Sequence, residues 1–106
     1  MGHMEEIIST IKILKSEVAT DLQRIEGQIE EIKTDMLKAF ILARVQDSKL
    51  DGNQINKFNA QLSDLYEQRN VLNAALSKLD IQHEDPILKE LVELIDDFQK
   101  EDFLFN

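Results

Sequence analysis

The 106-residue chain has no cysteine, no tryptophan, one proline and three glycines. Without cysteine it has no disulfide, no thiolate metal site and no thiol nucleophile. So little glycine and proline argues against an all-β fold with its many turns, and against low-complexity disorder. It contains no run of 18 apolar residues, so no transmembrane helix is expected. The opening Met1-Gly2-His3-Met4-Glu5-Glu6 is not a basic stretch leading into an apolar core, so no secretory signal is read there. Met1-Gly2-His3 reads as a cloning scar, with Met4 as the expected native start. A cytoplasmic location is the expectation, with which the missing cysteine agrees. Positive charge is also scarce: 12 basic against 21 acidic side chains, for a net charge of −9. The Lys and Arg are scattered singly, which argues against direct nucleic-acid binding and against a membrane surface.

What is present is helical periodicity. From Met4 to about Gln46 there is no proline, and the only glycine is Gly27. Met4, Ile11, Val18, Ile25, Ile32 and Ala39 fall at heptad position d; Ile8, Lys15, Leu22, Ile29, Met36 and Ala43 fall at a. A seam with one polar member, Lys15, predicts a long coiled-coil helix over about 4–47. The segment Asp47-Ser48-Lys49-Leu50-Asp51-Gly52-Asn53 ends it, with Gly52 able to take a left-handed backbone and Asp51 or Asn53 able to cap the next helix.

Ile55, Phe58, Leu62, Leu65, Arg69, Leu72, Leu76 and Leu79 then predict a second coiled-coil helix over about 53–80. A tight loop folds it back antiparallel, and the expected pairs run from Ala43 with Phe58, through Ile32 with Arg69, to Leu22 with Leu79. Asp85 suits a helix cap and Pro86 a first helical position, opening a third helix over about 86–101 with the broad stripe Ile87, Leu88, Leu91, Val92, Leu94, Ile95 and Phe98. The fold class is all-α, one domain over 4–106. A long coiled-coil helix and an antiparallel second helix are completed by a short third helix into a three-helix bundle, expected to be oligomeric.

Functional candidates come from what this arrangement leaves over. The second helix ends opposite about Leu22, so residues 4–20 form an overhang without a hairpin partner. Ile7, Ile8, Ile11, Leu14 and Val18 make it apolar, with Lys15 in its seam. Such a patch marks self-association or capture of a partner helix, unless the third helix doubles back over it. The tail Phe103-Leu104-Phe105 is a second candidate for partner binding; its other reading is packing near Phe40 and Tyr66. Arg69 in the seam needs a carboxylate, for which Asp35, Asp96 and Asp97 are candidates. Gln54, Gln61, Gln68, Asn59 and Asn73 flank the second seam where Glu and Lys are usual, which points to cover from the third helix or another chain.

Acidity concentrates late: residues 80–106 carry net −7, residues 4–46 net −2 and residues 47–79 net 0. Glu90, Glu93, Asp96, Asp97, Glu101 and Asp102 read first as a solvated face. A DNA-mimic or inhibitor that blocks a basic site is the alternative function. A Mg²⁺-dependent nucleotide hydrolase is the third, and it lacks a convincing second carboxylate pair, since Asp64 and Glu67 have the reverse order. The run Asp47-x-Lys49-x-Asp51-Gly52-Asn53 looks like part of a calcium loop, but Lys49 and Phe58 stand at ligand positions. His83 reads as a loop residue.

The long-short-short layout is similar in shape to small helical co-chaperones of secretion systems and of tubulin. The sequence-based expectation is a non-catalytic interaction module (assembly factor, co-chaperone or adaptor) with no cofactor, metal or small-molecule substrate. Its partner is a protein: a second copy or another helix.

Overall fold

Two breaks divide the chain into three α-helices in the computed structural model, which describes residues 2–100. They are α1 (Gly2–Val45), α2 (Gly52–Lys78) and α3 (Pro86–Lys100). Among the described residues no strand is formed.

The first break is made by Asp47, not by Gly52. Asp47 takes φ 54°, whereas no glycine has a positive φ. The Ser48 N–H donates to the Ala43 carbonyl at 2.8 Å and the Asp47 N–H to the Arg44 carbonyl at 3.2 Å. This pair of bonds closes a helix through a left-handed residue and satisfies carbonyls that would otherwise be orphaned. Gly52 is instead the first residue of α2. Asp51 caps it, accepting from the Gln54 N–H at 2.8 Å. At the second break the Leu79 N–H still donates to the Ala75 carbonyl at 2.9 Å. Asp85 then caps α3 through Oδ1, which accepts from the Ile87 N–H at 3.0 Å, and Pro86 takes the first helical position, where a missing N–H costs nothing.

Each a and d position of α1 from Ile8 to Ala43 is buried or half-buried, and so is each apolar seam position of α2. Ile25, Ile29 and Leu62 form the central core, with Ile32, Met36, Leu65, Tyr66 and Leu72 packed around them. The register, however, is displaced by about one heptad from the predicted pairing. Lys15 reaches Asp80, Nζ to Oδ1 at 3.4 Å, where the prediction placed Leu22 against Leu79. At the loop end Ile32, Asp35 and Ala39 share a groove with Gln54, Lys57, Phe58 and Gln61. Heptad spacing permits only jumps of about seven residues. Because α1 ends at Val45 and α2 opens at Gly52, the reversal through 46–51 carries α2 further along α1 than predicted: Lys15, Ser16 and Ala19 already lie beside Leu76, Ser77 and Asp80, so the expected overhang over 4–20 is shortened at its inner end.

The third helix also takes a different place from the predicted one. It packs on α1 and not on α2. Leu88 is buried, and His3 Nε2 lies 3.3 Å from Asp96 Oδ1. So α3 continues where α2 stops, running along the N-terminal part of α1 and covering one side of the overhang. The molecule is a rod of 70 × 30 × 18 Å with a radius of gyration of 22.2 Å, against about 13 Å for a compact chain of this length.

This placement changes two expectations. Arg69 meets neither Asp96 nor Asp97; its guanidinium lies over the Tyr66 ring, 4.8 Å from the centroid. Among the described residues it pairs with no carboxylate within salt-bridge distance. A half-buried Arg can place its stem in the seam and its head over an aromatic face, which removes the need for a buried counter-ion. Gln54, Asn59, Gln61, Gln68 and Asn73 are all exposed, so α3 does not cover the amide flanks. Phe103, Leu104 and Phe105, the candidate tail, lie outside the described residues.

Candidate interaction groove

The overhang becomes a groove because three segments meet along it. Its walls are Ile7, Ile11 and Leu14 of α1, Leu79 and Ile81 of the connection, and Ile87, Leu91 and Ile95 of α3. It has a volume of about 480 Å³, and Glu6, Thr10 and Lys78 are its polar members. The sequence explains the shape. Ile7 and Leu14 stand at heptad g, beside the seam, so they face the side of α1 that a single partner helix leaves open. On α3 the stripe is wider than one contact needs. Leu88 is the buried centre, and Ile87, Leu91, Leu94 and Phe98 recur at helical spacing along one edge. Ile87, Leu94 and Phe98 remain 39%, 50% and 45% exposed. Glu90 and Asp97 border that edge.

The overhang candidates separate into two groups. Ile7 is buried, and Ile8, Ile11 and Val18 are half-buried in the seam, so these four hold the fold together. Leu14, 43% exposed, lies on the groove wall with much of its side chain open. Lys15, the polar seam residue, stands where α2 gives way to the connection. There its ammonium faces Asp80 and the C-terminal end of α2, a place where a cation is favoured. The groove members on α3 and in the connection were outside the sequence-based candidates, although the breadth of the α3 stripe signals them.

A second apolar surface lies at the other end of α1. Leu37, Phe40, Ile41, Leu42 and Val45 are all exposed. From Met36 to Ala43 only Lys38 is polar, so α1 is apolar nearly all round its axis there. A helix of that kind is normally surrounded, yet α2 covers only one side of this one.

Among the described residues no polar or charged residue is buried, and no group of three His, Asp or Glu side chains is placed to hold a metal. Glu90 and Glu93 stand exposed on the outer face of α3. The calcium-like loop spends its carboxylates on local structure, Asp51 as a cap and Asp47 beside Arg44 at 3.6 Å. No helix of the described residues is long and apolar enough to cross a membrane.

No family model matches the chain, and no curated protein or solved structure matches it either.

Proposed function

We propose that the protein is a non-catalytic interaction module, of the assembly-factor, co-chaperone or adaptor kind, that takes an apolar helical segment of a protein partner into the groove between α1 and α3. The hairpin serves as a stiff coiled-coil arm that carries this groove. The observation that supports the reading is the groove itself: an open channel walled by Ile7, Leu14, Ile87, Leu91 and Ile95, on a chain whose own core is thin. The chain exposes 8300 Å², against about 6100 Å² for a compact monomer of its mass.

The test uses the double variant Leu14→Glu/Ile87→Glu, checked for helicity by circular dichroism. Immobilised wild type is expected to retain a partner at high salt that the variant does not. Retention of the same proteins by both would overturn the reading. Retention only at low salt, lost in Glu90→Lys/Asp97→Lys but not in the groove variant, would favour a blocker of basic sites acting through the exposed carboxylates of α3.

A further inference from the structure

We propose that the groove receives the opposite end of a second copy of this chain. The ridge Leu37, Phe40, Ile41 and Val45 of one molecule would lie between α1 and α3 of the next, so that copies associate head to tail. The inference rests on the groove being a docking surface and names its occupant.

Shape is the first argument. The ridge is convex and the groove concave. The ridge runs from Leu37 to Val45 and the groove wall on α3 from Ile87 to Ile95, both about 12 Å long at the helical rise. Exposure is the second. Leu37, Ile41 and Val45 are 60%, 55% and 76% exposed, and α3 cannot cover them, since it lies at the far end of the rod.

Charge chooses between this arrangement and a like-with-like pair. Residues 33–57, at the loop end, carry net +2, and residues 84–97 carry net −5. Lys33, Lys38 and Arg44 lie within or beside the ridge. Lys33 and Arg44 reach Glu30 and Asp47 at 3.6 Å, across contacts so exposed that they hold little energy. Glu6 and Lys78 line the groove, and Glu90, Glu93 and Asp97 stand exposed on the outer face of α3 beside it. Pairing two grooves brings carboxylates together, and pairing two ridges brings cations together. Ridge in groove brings the positive loop end beside the acidic third helix, which favours that encounter over the others. Made once between two molecules, the contact leaves a free ridge and a free groove and can propagate; made twice between two antiparallel molecules, it closes about a two-fold axis.

The test is absolute mass by light scattering on the full chain over a range of concentrations. Wild type is expected to rise above the 12.3 kDa of one chain as concentration increases. Two variants carry substitutions only at exposed positions: Leu37→Glu/Ile41→Glu on the ridge and Leu14→Glu/Leu94→Glu at the groove. Each alone is expected to stay at 12.3 kDa with an unchanged helical spectrum. Mixed, they are expected to form a pair of twice that mass that grows no further, since the mixture has one intact ridge and one intact groove. A wild type that stays monomeric overturns the inference, as does a mixture that stays monomeric. Self-association surviving in the ridge variant overturns it in favour of groove against groove, and survival in the groove variant in favour of ridge against ridge. A monomeric wild type that still retains a groove-dependent foreign partner defeats this inference and leaves the docking reading standing.

Discussion

The two ends of α1 solve the same problem differently. Near its start, α1 is flanked by α3, and the apolar residues of both helices face one another across a groove. Near its end, α1 is flanked by α2 alone, and Leu37, Ile41 and Val45 face outward. One end therefore offers a concave apolar surface beside the acidic outer face of α3, and the other a convex one with cations close by. The middle differs from both: Ile25 is 1% exposed and Ile29 3%, with Leu62 closing the seam above them. An apolar residue at a seam position stabilises the monomer. An apolar residue on the outer surface of the same helix adds little to the monomer and leaves a patch of the kind that marks an interaction site.

Substitutions at these regions should therefore differ in size and in reach. Ile25→Ala, at the centre, is expected to cost about 2–5 kcal/mol and to lower the denaturant midpoint for the whole rod. Leu88→Ala removes a side chain that is just as buried, but in a helix that touches only α1. Its expected signature is local: faster amide hydrogen exchange over 86–99, with 20–40 and 55–75 unchanged. An equal change in both regions would show that the two arms fold as one unit.

Smaller effects separate the helix ends. Asp51→Ala deletes the cap of α2 and is expected to cost about 1 kcal/mol in a urea titration. Asp47→Gly should act in the opposite sense, raising stability by roughly 1 kcal/mol, because a left-handed backbone strains aspartate and not glycine. A loss on Asp47→Gly would mean that the side chain of Asp47 contributes more than its backbone costs. Last, Leu37→Glu/Ile41→Glu should leave monomer stability within about 0.5 kcal/mol while altering self-association. A large loss there would show that the ridge belongs to the monomer's own core.

Much of the fold was legible along the chain. The spacing of Ile25, Ile29 and Ile32 announced the seam of α1, and Leu62, Leu65 and Leu72 that of α2. Asp85-Pro86 announced the start of α3. Asp47 was not legible as the left-handed residue, because Gly52 carries the lower intrinsic cost. The chain chose Asp47 because the bonds from 47 and 48 back to 44 and 43 must form wherever α1 ends. Leu14 was legible as part of an open apolar face, but its neighbours across the groove, Ile87 and Leu91, were not, since a broad stripe shows that a helix has two apolar sides without showing what lies against them. The run Met36–Ala43 carried its own signal, an apolar circumference, hidden by the regular seam that passes through it.

Sequence alone determined three helices, which of their faces are apolar, and where the acidic charge collects, because helical periodicity, capping and composition are local properties that need no knowledge of neighbours. Tertiary structure decided the heptad register of the hairpin and the side of the molecule on which α3 lies. Both are choices among pairings that satisfy the same pattern. Seams shifted by seven residues look alike to each helix, and α3 can bury its stripe on α1 alone or on the hairpin. Loop closure at 46–51 settles the first choice. The burial of Leu88 against the start of α1 settles the second, and with it the existence of the groove.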